Sequence, residues 1–404
     1  MEGSDAALLR CMTTHDPQLF TPDYRESAFW LDALAEQPAA EGINDSGQES
    51  LPATADVVVI GSGYTGLHAA LSLARAGRQV LVFESGEIGH GCSRRNGGQV
   101  SSAIKPDLAT LTRRYGHDAA LALLREGVVS VDWLESFLLQ ENISCEFIRC
   151  GSFHGAHSAR QFQQLRTSLQ TEHPEFKSGA WLVEPSAMHK EIGTSAYHGG
   201  AVYPREGSIQ PALYHQALID KALQSGVSLH ARCPVLQVES QGQKSKDRVR
   251  VQTGRGSVLA REVVVATNGY TGDATPWLQR RIIPIGSYMI ATEPLSTELM
   301  DQILPTNRVI CDTRKVVYYY RPSPDRRRVI FGGRVSAREV SPDVSGPLLH
   351  QSLSRLFPQL AHTRISHSWS GKVAFTFDDL AHRGSDRHIH YALGYCGSGI
   401  AMSS

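Results

Sequence analysis

Between residues 56 and 84 an apolar run, Asp56-Val57-Val58-Val59-Ile60, ends in Gly61-Ser62-Gly63-Tyr64-Thr65-Gly66. A helix-compatible stretch follows, and a second apolar run, Val80-Leu81-Val82-Phe83, ends in Glu84. This order of strand, G-x-G-x-x-G turn, helix, strand and acid predicts a dinucleotide-binding βαβ unit. Each part has a physical task. Gly61 permits the tight turn, Gly63 lets backbone approach a pyrophosphate, and Gly66 lets the helix pack closely on the strand. The helix N-terminus offers N–H groups and its positive dipole end to phosphates, and Glu84 can accept the hydroxyl protons of an adenosine ribose. The contacts expected here are Gly61, Ser62, Gly63, Tyr64, Thr65 and Gly66, with Glu84 and its neighbour Ser85.

The rest of the chain narrows the class. Its 404 residues, 41% of them hydrophobic, suit two domains with a sizeable core. Lys plus Arg and Asp plus Glu are balanced at 40 each, so no basic excess favours nucleic acid or an anionic membrane. Seven scattered cysteines form no C-x-x-C pair, which favours a reducing compartment and argues against a zinc site. With no secretory signal pattern and no apolar run long enough to span a bilayer, the expected location is the cytoplasm.

Along the chain, residues 1–52 read as an arm and linker carrying an apolar anchor, Phe29-Trp30-Leu31, packed on the domain surface. Residues 89–99, rich in glycine and donors, read as a second cofactor cradle. Residues 119–140 have helical spacing and are expected outside the nucleotide unit. A helix at 212–224, strands at 227–230 and 235–239, a hairpin-like pair at 248–253 and 258–261, and, over 263–270, a buried strand running into a loop return to it. Alternating strands at 286–292, 315–321 and 328–333 suggest an antiparallel sheet in a different layer. His382, His388 and His390 have loosely metal-like spacing but no fourth ligand in a recognisable frame, so no metal is expected.

Taken in order, the D-V-V-V-I-G-S-G-Y-T-G opening, the C-S-R-R-N-G-G-Q loop, H-G-G-A-V-Y-P-R-E-G-S-I-Q-P, V-V-V-A-T-N-G-Y-T and the final G-Y-C-G-S-G-I resemble the D-amino-acid-oxidase-like superfamily of FAD-dependent oxidoreductases. The resemblance extends from about Trp30 to Ser404. Its R-N-G-G-Q loop and the stretch at 318–334 look most like the γ-glutamylputrescine oxidase branch. The implied fold is α/β with an α+β second domain: a Rossmann-type FAD-binding domain with a parallel central sheet (53–105, 196–281 and 385–404) and a substrate domain with an antiparallel sheet (106–195 and 282–384). By the same analogy backbone groups at Ser93, Arg95, Asn96, Gly97 and Gly98 approach the pyrophosphate and flavin ring with Gln99 in the same cofactor loop, Val235 holds the adenine, and Gly397, Ser398, Gly399 and Ile400 lie on the flavin's pyrimidine side.

Departures from the pattern shape the chemistry. Where one branch attaches FAD through a cysteine this chain has Gly371, and where others use a histidine it has Arg94-Arg95-Asn96, so FAD is expected to be non-covalent. Ala401 stands where sarcosine-like relatives place a lysine for a substrate carboxylate, which favours an amine or γ-glutamylated amine as substrate. The implied reaction is hydride transfer from the carbon beside nitrogen to flavin, followed by imine hydrolysis to an aldehyde, with reoxidation by oxygen releasing hydrogen peroxide. A dehydrogenase passing electrons to a quinone or carrier is the alternative. A third reading, a weakly FAD-binding non-catalytic protein, follows from the sequence stopping at the start of a helix at Ser404. Lys372, Tyr288 and Tyr319 are the candidate groups facing the ring, the lysine as a cation that would stabilise reduced flavin or superoxide.

Overall fold

The β-branched run forms the strand Thr54–Ile60, with Val58 and Val59 fully buried at the middle of a parallel sheet. In the computed structural model, which describes residues 16–35, 42–44, 50–241, 248–336 and 339–404, six strands of this sheet run parallel. Their order is Ile43–Asn44, Ser228–His230, Val80–Phe83, Thr54–Ile60, Gly256–Val265 and Ile389–Leu393. Strands covered on both faces must be apolar throughout. One face packs Val57 and Val59 against Leu67 of the helix Tyr64–Arg75 and Leu218 of the helix Pro211–Gln224; the other packs Val58 and Ile60 against Val249, Val251 and Val258.

Two expectations for this layer change in detail. The hairpin arm at 258–261 and the buried strand expected from Val263 onward are one continuous strand, Gly256–Val265. Its first half pairs antiparallel with Val249–Thr253 and its second half parallel with Thr54–Ile60. The helix His117–Gln140, expected outside the nucleotide unit, buries Val131, Leu134 and Leu138 in the same core as Val57 and Val59. Helical periodicity reports that one face is buried, not what covers it.

The second sheet has nine strands in the order Phe20–Arg25, Ile365–Phe375, Ile283–Thr292, Val329–Gly333, Tyr319–Pro322, Val309–Asp312, Ser152–Gly155, Gly200–Tyr203 and Trp181–Val183. Its pairings are antiparallel except at Phe20–Arg25 with Ile365–Phe375 and at Val309–Asp312 with Ser152–Gly155. The strand expected at 315–321 begins only at Tyr319. The chain before it is folded over Asp312, whose Oδ1 accepts from the N–H groups of Arg314 (3.1 Å) and Tyr318 (3.2 Å). Within the expected N-terminal arm, Phe20–Arg25 edges the second sheet, Ile43–Asn44 edges the first, and Trp30 is buried rather than laid on the surface.

The three histidines at 382–390 are spent on carboxylates. His388 and His390 each lie 2.9 Å from an oxygen of Glu262, and His382 lies 3.0 Å from Asp378. Among the described residues no group of three His, Cys, Asp or Glu side chains is placed to hold a metal, and no helix is long and apolar enough to cross a membrane.

Candidate active site

The glycine turn follows directly from the strand Thr54–Ile60. Gly61 has φ 100°, a conformation that side chains other than hydrogen rarely adopt. A Cβ on Gly66 would lie 1.9 Å from the Gly61 carbonyl oxygen, so the helix can approach the strand only with glycine there. Glu84 closes this end: its Oε2 accepts from the Ser62 N–H (3.0 Å) and Ser62 Oγ (2.7 Å), and its Oε1 from the Ser85 N–H (2.8 Å). Oε1 also accepts from Ser85 Oγ (3.1 Å) and the Gly86 N–H (3.4 Å), and with about four acceptor positions on a carboxylate a ribose hydroxyl binds here by displacing one of these weaker donors.

The loop at 89–99 crosses the turn and is held from behind. Ser93 Oγ accepts from the Tyr64 N–H (3.0 Å) at the start of the helix Tyr64–Arg75. Trp30 and Trp369 donate their indole N–H groups to the carbonyls of Asn96 (2.7 Å) and Arg95 (2.8 Å). Arg321, buried in the second sheet, donates to the carbonyls of Gly98 (3.0 Å) and Ile209 (2.9 Å), and burial holds its pKa down to about 10. His215, fully buried, lies 2.7 Å from the Ser62 carbonyl and accepts from Arg94 Nε at 2.9 Å. Burial, with the charge of Arg94, drops its pKa to about 3, so the ring is neutral and donates to Ser62.

A cavity of about 830 Å³ opens over these elements, bounded by the carboxyl ends of three parallel strands at Ile60, Phe83 and Val265. Ligands of open α/β sheets bind at such strand ends. Of the expected residues, Gly61, Ser62, Gly63, Tyr64, Thr65, Glu84, Ser85, Ser93, Arg95, Asn96, Gly97, Gln99, Val235, Gly397, Ser398, Gly399, Ile400, Tyr319 and Lys372 all line it. Gly66 and Gly98 do not line the cavity. They are packing positions, the second with φ 65° and its missing Cβ 2.4 Å from the Ile209 carbonyl oxygen. Tyr288 is also absent from the cavity wall: it is fully buried in the second core, its hydroxyl accepting from the Val340 N–H at 3.0 Å. Strand alternation explains the tyrosine run, since Tyr319 faces the cavity, its ring against Gly97, while Tyr320 bonds Tyr197 in the core.

Asn96 and Gln99 line the cavity but spend their amides on protein. Asn96 donates to the Cys92 carbonyl (3.1 Å) and accepts from the Gly98 N–H (2.8 Å); Gln99 donates to the Ile310 and Tyr320 carbonyls (3.2 Å each). At the far end Tyr319 and Ser287 hydroxyls are 2.7 Å apart, and Lys372 Nζ lies 3.3 Å from Glu339. Burial raises Tyr319 to about 12, leaving a neutral phenol. Sequence reasoning missed Ser101, His154, Glu206, Cys311 and Arg334, which also line this space and come from five separate segments with no shared spacing.

The family model for FAD dependent oxidoreductases, DAO, matches residues 56–404. The chain belongs to this family. Among curated proteins, it is 30% identical over 357 residues to the "Probable oxidoreductase OrdL" of Haemophilus influenzae, covering 86% of this chain and 80% of that protein. It is 31% identical over 352 residues to the "Gamma-glutamylputrescine oxidoreductase" of Escherichia coli, covering 87% and 81%. Among solved structures, glycine oxidase from Geobacillus kaustophilus superposes with a TM-score of 0.70 at 17% identity, covering 87% of this chain and 92% of that one, which shows the shared fold.

The DAO cofactor, FAD, fits what is present. The glycine turn and helix start offer backbone to a pyrophosphate, Glu84 offers a fixed carboxylate to a ribose, and the cavity continues past Gly97 to Lys372. Non-covalent binding meets one complication. Cys92 reaches the place where a cysteine is missing: its Sγ would lie 2.9 Å from a Cβ on Gly371. Burial raises the Cys92 thiol, however, and it donates to the Lys372 carbonyl at 2.9 Å, so the nucleophilic thiolate is disfavoured. Acid precipitation is therefore expected to release all flavin into the supernatant; a fluorescent protein band on a denaturing gel would contradict this.

Proposed function

We propose that this DAO-family protein oxidises a C–N bond of an amine, with a γ-glutamylated amine of the γ-glutamylputrescine kind as the leading candidate and oxygen as the electron acceptor. The observation that carries the reading is the make-up of the cavity beyond Gly97. It combines a neutral phenol, a lysine and a buried carboxylate, Glu206. FAD, when bound, supplies the two-electron acceptor. The protein's own share is to place the carbon beside nitrogen against the ring, to exclude water and to hold the reacting amine neutral. Tyr319, pinned by Ser287 and packed on Gly97, forms the wall on which that end of the substrate rests. The 31% identity to a gamma-glutamylputrescine oxidoreductase supports the substrate class.

A second reading, an amino acid as substrate, is favoured by Arg334 and Lys315, which line the same cavity and could neutralise a carboxylate. Anaerobic bleaching of the bound flavin separates the two when polyamines, γ-glutamyl amines and amino acids are compared. Peroxide formed under air then distinguishes an oxidase from a dehydrogenase.

Lys372 is the proposed cation of the oxidative half-reaction, stabilising negative charge that develops at its end of the cavity. Lys372→Met is expected to slow reoxidation by oxygen by roughly 10- to 100-fold, the scale of losing one electrostatic contact, while anaerobic reduction by amine changes less. Stopped-flow measurement of the two half-reactions checks this, and equal effects on both would count against the role.

A further inference from the structure

The cavity has a neighbour. Ala103, Lys105, His154 and Glu206 line it and also line a second space of about 1320 Å³, so the two meet at a neck formed by these four residues. The outer space is a groove between residues 102–113, the helix His117–Gln140 and the helix Ala159–Gln170.

The neck has an unusual charge arrangement. Glu206 is only 5% exposed, yet it reaches both spaces. Its carboxylate accepts from Ser101 Oγ at 2.8 Å, and His154 Nε2 lies 3.8 Å away. Burial pushes its pKa up, but His154 and the hydroxyl contacts outweigh this and leave it below the ordinary value, so the group is an anion at neutral pH. Asp312, the other buried carboxylate of the inner cavity, is committed to Arg314 and to two backbone N–H groups. Glu206 keeps acceptor positions that its neighbours do not fill. Just outside it stand cations: Lys105 at the neck, and Arg160 and Arg205 on the groove wall. The groove's own acids are already engaged, Asp107 by the Thr110 N–H (2.8 Å) and Glu172 by the Ser178 N–H (3.0 Å).

A buried anion flanked by cations on one side matches an ammonium and a carboxylate carried on one carbon. We propose that the neck and groove form a subsite for the zwitterionic α-amino-acid head of an elongated amine substrate, Glu206 taking the ammonium and Lys105 with Arg205 the carboxylate. The reacting C–N bond then lies at the opposite end of the molecule, in the inner cavity beyond Gly97. This rests on the reading of the protein as an amine oxidoreductase and adds what selects among amines. Glu206 is a specificity residue: it touches the head of the substrate, not the reacting atoms.

The test uses FAD-loaded protein and two ligands that lack the reacting amine, so binding is read without turnover. γ-Glutamyl-n-butylamide carries the full head; glutaryl-n-butylamide lacks only its ammonium. Calorimetry is expected to show the first binding at least ~10-fold tighter, consistent with a desolvated charge pair. Glu206→Gln should remove that preference with the flavin spectrum unchanged, Glu206→Asp should reduce it, and Lys105→Ala should weaken the first ligand about 3- to 10-fold. Should Glu206→Gln fail to fold, the wild-type comparison and the two other variants decide. Equal binding of the two ligands by the wild type, no binding of either, or a preference that survives Glu206→Gln would overturn the proposal. If the head-bearing ligand binds selectively but no amine bleaches the flavin, the subsite stands and the amine reading falls.

Discussion

Gly66→Ala is expected to yield a protein that is destabilised and holds no FAD, whereas Gly63→Ala is expected to fold normally and bind FAD weakly. The two glycines are three residues apart but do different work. A methyl on Gly66 would sit 1.9 Å from the Gly61 carbonyl oxygen and 3.3 Å from Val59, both fixed by the central strand, so the helix must lift off the sheet. Overpacking against backbone costs about 3 kcal/mol or more, a large part of the net stability of a domain. At Gly63 the backbone is ordinary, with φ −71°, and the nearest atom to an added Cβ is Ser93 Oγ at 3.1 Å, a side chain that can yield. The methyl instead narrows the space where a pyrophosphate approaches. Thermal melts of the apo and FAD-saturated forms separate the two cases. A melting point for apo Gly66→Ala equal to wild type would contradict the packing argument.

The second large effect is acid sensitivity. His215, His68 and His230 are buried, and desolvation is the first cause that lowers their pKa values, to about 3, about 4 and about 4. The unfolded chain takes up a proton on each near the ordinary value of 6.5, while the folded chain refuses it until much lower pH. Their neutral burial therefore contributes stability in full above that value, and it is lost as pH falls toward 4. At pH 5 the loss is ~2 kcal/mol for each ring, so several kcal/mol should disappear between pH 7 and pH 5 before most carboxylates titrate. Because His215 grips the Ser62 carbonyl, FAD release should accompany this loss. His68→Gln keeps a polar partner for the Tyr214 hydroxyl, now 2.7 Å from the ring, and should reduce the slope of stability against pH by about one proton. Denaturant titrations at successive pH values measure that slope; a flat profile from pH 7 to 5 would refute the assignment.

Much of the cofactor end was legible in the residues because its parts are local. A β-branched run, glycines at fixed spacing and an acid at the end of the next strand constrain one another within thirty positions, and Gly61, Gly66 and Glu84 hold the geometry that spacing implies. The 89–99 loop was legible as a stretch beside the glycine turn, but not which of its groups face the cavity and which brace it. Asn96 and Gln99 look like ligand donors and are turned to brace backbone. The braces behind them, Trp30, Trp369, Arg321 and His215, come from distant segments whose local patterns signal only strand, helix or anchor. Tyr288 illustrates the same limit from the other side: alternation says that one face of a strand is buried, and a sheet between two layers makes either face a candidate wall. The substrate end was nearly silent. Ser101, His154 and Glu206 meet only because Gly200–Tyr203 pairs with Ser152–Gly155 and the chain returns beneath the loop.

On the proposed reading, the cavity beyond Gly97 presents an amine, not an amino acid, to the flavin. Anaerobic addition of γ-glutamylputrescine, putrescine, sarcosine, glycine and proline in separate cuvettes tests it directly. The expected result is rapid loss of the visible flavin bands with γ-glutamylputrescine, slower loss with putrescine, and little change with the three amino acids. Bleaching by the amino acids alone, or by none of the five, would contradict it.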